Sequence, residues 1–331
     1  MRQIGENTSA ARAASGKGAK AGRDPNRPAR LSKPAVTKRD DAPWRRWVPA
    51  HALAPGLHLV ATPIGNLGDI TLRALWVLDS VDRILCEDTR VTARLLAQYS
   101  IDKPLAPYHD HNADRVRPAV LDALRRGETL ALVSDAGTPL VSDPGYKLVR
   151  EALVEGLPVT AAPGPSAAVT ALILSGLPSA AFLFAGFLPP RAAARRKALA
   201  QWSGLAATLV FYEGPSRLTA ALTDMAQVLG AHRPAAIGRE LTKRHEEMRR
   251  GTLAELAAHY AAAAPPRGEI VVVVGPPAEQ TAPDVGDLDT RLDALLGQMS
   301  LRDAVAVLAA ETGLSRHALY DRALARQRSS R

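Results

Sequence analysis

The chain holds a single cysteine, Cys86. An intrachain disulfide and a thiolate metal cluster are both excluded, and this cysteine usage suits a cytoplasmic, reducing location. Aromatic residues make up only 4%, which argues against a surface that stacks bases on rings. The first residues carry charge but no apolar core segment, so no secretory signal is expected. The longest apolar stretch, Ala167 to Leu188, is broken by Ser175-Gly176-Leu177-Pro178-Ser179 into a helix and a strand, which excludes a membrane span there. The dinucleotide fingerprint GxGxxG, the phosphate loop GxxxxGK[ST] and the nucleophile elbow GxSxG are all missing. Charge of one sign is missing from the fold as well. Residues 1–50 hold 12 Lys/Arg against 4 Asp/Glu, so they carry +8 of the chain's +9. The high isoelectric point describes an arm, not a basic core.

What is present is a series of apolar strands that end in small-residue turns. Thr129 to Val149 is the clearest: a short apolar run, then Ser134-Asp135-Ala136-Gly137-Thr138-Pro139, then Ser142-Asp143-Pro144-Gly145. The last four read as a helix entry, with Ser142 or Asp143 as cap and Pro144 in the first turn. Small residues at a strand's carboxyl end let a ligand approach the backbone, and one acid, Asp135, stands there to hold a hydroxyl or a cation. The bland alternative is an ordinary strand-to-helix loop. A similar turn, Thr62 to Thr71, follows strand Gly56–Ala61, with Asp69 expected to cap the next helix. A third, Pro163-Gly164-Pro165-Ser166-Ala167, opens a helix whose free N–H groups suit a carboxylate. Strand Arg83–Cys86 ends in Glu87-Asp88-Thr89-Arg90. His109-Asp110-His111 lacks a third metal ligand, so substrate binding or capping is favoured and no metal is expected.

The pattern restarts at Phe182–Phe187 and runs through strands at 207–212, 235–238 and 268–274. Arg191, Arg195, Arg196 and Lys197 form a basic patch suited to phosphates, against the plainer reading of a solvated helix face. Thr252 and Glu255 have capping-box spacing. The last 50 or so residues outline a helix-turn-helix with Arg316, His317, Tyr320, Arg322 and Arg326 on its second helix. That favours nucleic acid, although residues 279–331 sum to 7 cations against 8 acids and a packing appendage is the rival. Regular strand–helix alternation implies an α/β fold. The expected division is a disordered basic arm at 1–52, α/β domains at 53–177 and 178–277, and a helical tail at 287–328.

Eight motifs occur in order: Val60 to Thr71, Glu87 to Arg90, His109 to Asn112, Ser134 to Pro139, Ser142 to Gly145, Pro163 to Ser166, Phe211-Tyr212-Glu213 and Arg239-Glu240-Leu241-Thr242-Lys243. Together they resemble the tetrapyrrole methylase superfamily, in particular its ribosomal RNA ribose methyltransferases, over about Leu57 to Pro276. The resemblance implies two α/β domains with a cofactor cleft between them, a helix-turn-helix-like appendage and a homodimer. It implies transfer of a methyl group from S-adenosylmethionine to a cytidine 2′-oxygen in the decoding region of 16S ribosomal RNA, within the 30S subunit. Pro63, Ser134, Asp135, Ala136, Gly137, Thr138, Ser166, Ala167, Tyr212, Arg239, Glu240 and Glu269 would surround the cofactor. Glu87, Asp88, His109 and His111 are candidate bases for the ribose hydroxyl, while Lys243, Arg239 and Arg90 would steady an alkoxide or steer phosphates. Arg90, Arg191, Arg195 and Arg196 are the expected RNA contacts. A small-molecule methylase on the same fold, and a non-catalytic ribosome-binding factor, stand as alternatives.

Overall fold

A computed structural model describes residues 42–48, 51–278, 285–312 and 314–329. The first half alternates β1 Gly56–Val60, α1 Leu72–Ser80, β2 Arg83–Cys86, α2 Thr89–Gln98, β3 Leu105–Pro107, α3 Ala113–Arg125, β4 Thr129–Leu132, α4 Tyr146–Val154, β5 Val159–Ala162 and α5 Ala167–Ser175. Its five strands run in the order β3-β2-β4-β1-β5, every pair parallel. All four residues of β4 are buried, as a strand covered by helices on both faces requires. Leu57, Leu130, Leu132 and Leu148 fill one face, and Val60, Ile84 and Ala131 the other.

The second half contains β6 Phe182–Phe187, α6 Ala192–Ala200, β7 Thr208–Glu213, α7 Leu218–Leu229, β8 Pro234–Arg239, β9 Glu247–Thr252, α8 Leu253–Ala262 and β10 Ile270–Val274. The order is β6-β7-β10-β8-β9; only β6–β7 is parallel, so this sheet is mixed where strand–helix alternation suggests a parallel one. β10, an unbroken Ile-Val-Val-Val-Val run, sits at its centre and is wholly buried. The two halves are joined by packing. Ala168, Ala171 and Leu172 of α5 bury against Val210, Ala236, Val271 and Val273 of the second sheet, together with Ile64 from the first half. A third unit, α9 Val285–Leu296, α10 Leu301–Thr312 and α11 Arg316–Ser329, has its own core around Leu292, Ala304, Leu308 and Leu319.

Several expectations need correction. Helix α1 is capped by Thr71, whose hydroxyl accepts from Ala74 N–H, while Asp69 ends a separate 3-10 turn. Helix α4 starts after Gly145 (φ +129), not at Ser142 or Asp143, because the chain turns through left-handed Leu140 and Ser142 first. The expected disordered arm lies outside the described residues over 1–41 and 49–50, but its base is ordered. Pro43–Trp47 forms a 3-10 turn in which Trp44 Nε1 donates to the Tyr99 carbonyl (3.1 Å) and Arg45 forks onto Asp79 (3.1 and 2.9 Å). Arg195 is no phosphate ligand: it is buried, bonded to Asp224 at 2.7 Å, and Arg196 shares the same carboxylate at 3.0 Å. The capping box of Thr252 and Glu255 is formed.

Removing one partner of a buried ion pair leaves the other charge desolvated. Asp224→Ala is expected to lower unfolding stability by about 3–5 kcal/mol in urea titration, far more than loss of a surface pair.

Candidate active site

The carboxyl ends of β1, β4 and β5 are tied to one another. Thr62 and Gly137 exchange backbone hydrogen bonds (2.9 and 3.0 Å), the Thr62 hydroxyl donates to the Ser134 carbonyl (3.2 Å), and the Thr138 hydroxyl donates to the Pro165 carbonyl (3.0 Å). Gly137 adopts φ +84, which a side chain would strain. Beyond it, Leu140 (φ +71) and Ser142 (φ +67) are also left-handed. Non-glycine residues in that region cost roughly 1–3 kcal/mol each and gather at functional loops.

This floor faces the second sheet across a cavity of about 290 Å³. Ala136, Gly137, Thr138, Ser142, Asp143, Ser166 and Ala167 line one side; Phe187, Tyr212, Glu213, Leu241, Glu269 and Val271 line the other. The Tyr212 ring is held edge-on by Phe184 (4.9 Å) and Phe187 (5.5 Å). Its hydroxyl lies near the Ala168 N–H at the start of α5, and burial pushes its pKa up. Ser166 supplies no side-chain cap to that helix. Glu213 is buried and bonded to Arg217 at 2.7 Å. Glu240 accepts from Lys243 Nζ (2.8 Å) and from Glu269 N–H (3.0 Å), and Lys243 also reaches Glu269 at 3.0 Å. Gly268 makes room for this, since a Cβ there would stand 2.2 Å from Glu240 Oε1.

Seven of the expected cofactor residues thus meet in one hollow: Ala136, Gly137, Thr138, Ser166, Ala167, Tyr212 and Glu269. Five do not line it. Ile64 takes the place of Pro63. Ser134 is buried beneath the turn, and Asp135 faces outward and accepts from Asp88 N–H (3.1 Å). Arg239 forks onto Glu247, and Glu240 anchors Lys243. The residues that sequence reasoning missed include Asp143, Phe187 and Leu241. Two glycines within nine residues, Gly137 and Gly145, were the available signal that the loop carrying Asp143 bends instead of starting a helix.

None of the candidate bases lines the cavity. Asp88 caps α2 and binds the exposed Arg90 (2.6 Å), which holds its carboxyl well below the usual range. Lys243, bonded to two acids, has its pKa raised against the opposing effect of burial. His109 and His111 lie edge to face, ring centroids 6.0 Å apart; His109 Nδ1 is buried without a hydrogen-bond partner among the described residues. Asn112 closes that turn by accepting from His109 N–H and donating to the Pro107 carbonyl. Glu87 is different: burial, then the charges of Asp143, Asp135 and Asp110, push its pKa up to about 7. For Asp143, burial, with the charges of Asp135 and Asp110, outweighs the lowering influence of the nearby Ser134 hydroxyl and pushes the pKa up to about 6.

A carboxyl whose folded pKa is raised binds its proton more tightly folded than unfolded, so its ionisation destabilises the fold above the ordinary value. For Glu87 the window runs from 4.5 to about 7. Glu87→Gln is expected to raise the melting temperature at pH 8 and to leave it unchanged at pH 4, where wild-type Glu87 is already protonated.

The family model of Tetrapyrrole (Corrin/Porphyrin) Methylases matches residues 56–257, and that of the RsmI C-terminal HTH domain matches 282–327. Ribosomal RNA small subunit methyltransferase I of Mesorhizobium japonicum is 53% identical over 84% of this chain and 94% of its own length. The same-named protein of Pseudomonas aeruginosa is 45% identical over 83% and 98%. The crystal structure of the methyltransferase CobJ superposes with TM-score 0.52 at 19% identity, covering 68% of this chain and 95% of that one, which is a likeness of fold. With half its residues shared with such relatives along most of its length, the chain belongs to the tetrapyrrole methylases, in the ribosomal RNA small subunit methyltransferase I family.

Proposed function

We propose that this protein methylates a ribose 2′-oxygen of a cytidine in the decoding region of 16S ribosomal RNA, with S-adenosylmethionine as methyl donor. The observation that carries the reading is the makeup of the cavity. Small residues and backbone form its floor, and its ionisable lining is Asp143, Tyr212, Glu213 and Glu269, with no Lys, Arg or His among the described residues. Such a hollow fits a cationic ligand. Ile64, Val141, Phe187 and Leu241 offer apolar wall, while the turn Ala136–Thr138 and the start of α5 at Ser166 and Ala167 offer backbone groups. When bound, the donor supplies an electrophilic methyl group on a sulfonium. The chain supplies position: the tied strand ends hold the floor, and α5 holds it against the second sheet.

The substrate side draws on the exposed Arg90 in the first turn of α2 and Arg191 at the N-cap of α6, and on Glu87, His109 and His111 at neighbouring strand tips. The helix-turn-helix unit offers less charge than its sequence suggests, since Arg322 and Arg326 are paired with Asp289 and Asp293 of α9. The reading includes the intact 30S subunit as substrate, a cytoplasmic site of action and a homodimer. Val169 and Ile173, one turn apart on the outer face of α5, are 47% and 68% exposed, an apolar ridge suited to a second copy.

With 30S subunits from a strain lacking the gene and methyl-labelled donor, label is expected on one cytidine ribose by mass spectrometry; label on a base, or none, sinks the reading. Ala167→Phe fills the cavity and is expected to abolish donor binding in calorimetry. Ile173→Asp is expected to shift the sedimenting species from dimer to monomer, and an unchanged dimer removes α5 from the interface.

A further inference from the structure

We infer that Asp143 takes the proton of the ribose hydroxyl during methyl transfer. This rests on the reading above and adds to it the residue that activates the nucleophile.

The geometry selects Asp143 by what surrounds it. Four ionisable side chains line the cavity. Glu213 is committed to Arg217 and to the Gly214 N–H, with its side chain 1% exposed. Glu269 is bonded to Lys243 and is otherwise 74% exposed to water. Tyr212 is neutral, and burial makes its hydroxyl a weaker acid. Asp143 alone among them has no cationic partner among the described residues; the Ser134 hydroxyl lies near it but donates to the Ala136 and Gly137 carbonyls. The groups facing it are Asp135 from the end of β4, Asp110 from the loop after β3, Glu87 from the end of β2 and Tyr212 from β7. All are acidic or neutral, so they raise its proton affinity toward the range a general base needs.

The backbone aims it. Left-handed Leu140 and Ser142 precede Asp143, and Gly145 (φ +129) follows, so the segment bulges toward the second half instead of starting α4. It lodges against β6, where Gly186 is left-handed and a Cβ would come within 2.9 Å of Ser142 Oγ. Asp143 thereby stands on the seam between the two halves. In the step itself the ribose oxygen forms a bond to the methyl carbon and loses its proton to an Asp143 carboxylate oxygen. The methyl–sulfur bond breaks with its electron pair left on sulfur, which becomes a neutral thioether. Solvent then removes the proton from Asp143.

The test compares wild type, Asp143→Asn and Asp143→Glu on 30S subunits at saturating donor. Asp143→Asn should lower kcat at saturating donor by roughly 100-fold or more, far beyond any loss of donor affinity in calorimetry and with no fall in melting temperature, and Asp143→Glu should restore part of the rate. Rate in the wild type should rise with pH through a limb at about 6 or below, which the Asn variant lacks. Carbon-13 NMR of the protein alone should show a carboxyl titrating near that value, absent from Asp143→Asn. An Asn variant with wild-type kcat overturns the inference while leaving the methyltransferase reading intact. So does one that loses donor affinity but keeps kcat, which would make Asp143 a donor ligand. A wild type that transfers no methyl to ribose overturns both.

Discussion

The reciprocal backbone pair between Thr62 and Gly137 is the contact on which the rest of the site depends. It extends the β1–β4 association past the last ladder residues, at the point where both chains leave the parallel sheet. Each such bond adds only about 1 kcal/mol net, so the pair does not hold the fold together. Its importance is positional. β1 and β4 are already locked in register by buried Leu57, Leu130 and Leu132, because a one-residue slip would turn those side chains to the opposite face. The pair then converts that register into a fixed height for the turn above it. Thr138 passes the constraint on to Pro165, and Pro165 to the start of α5. Since α5 buries its Ala168, Ala171 and Leu172 on the second sheet, the same chain of contacts sets the floor against the opposite wall. A cavity between two sheets keeps its shape only if something rigid crosses between them, and here that element is a nine-residue helix.

Much of this was legible from residue order, for identifiable reasons. β4 and β10 read as strands because short apolar runs bounded by turns have few other uses. The capping box at Thr252 announced α8 because its two hydrogen bonds are local. Elements whose cause is distant were not legible. β9, Glu247–Thr252, shows no apolar alternation; it is an edge strand whose Arg249 and Arg250 suit a solvated edge, and only its pairing with β8 makes it a strand. β3 is three residues long and exists through its ladder to β2. Ser142-Asp143-Pro144-Gly145 imitates a helix start in composition, yet it bends through left-handed Ser142 and Gly145 and lodges against Gly186, more than forty residues on. The four cations after Pro190 look like a phosphate patch until Asp224, nearly thirty positions later, is found between Arg195 and Arg196.

That last case points to a distinction running through the whole molecule. Most of its ionic groups are answered by a partner. Arg195 and Asp224 are buried together, Glu213 has Arg217, Lys243 has Glu240 and Glu269, and even the helix-turn-helix unit neutralises Arg322 and Arg326 with acids of its own first helix. Desolvated charge is costly unless paired, so this is what a stable fold does with charge it cannot leave in water. Around the tips of β2 and β4 the rule is broken. Glu87 and Asp143 are half-buried, near Asp110 and Asp135, and the answer to their mutual repulsion is a raised proton affinity, not a basic side chain. An arginine in that gap would stabilise the fold. It would also hold both carboxylates ionised and engaged, and so unable to accept a proton. Four carboxylates without a cation among the described residues, beside a cavity whose described lining holds none either, therefore favour a positively charged ligand.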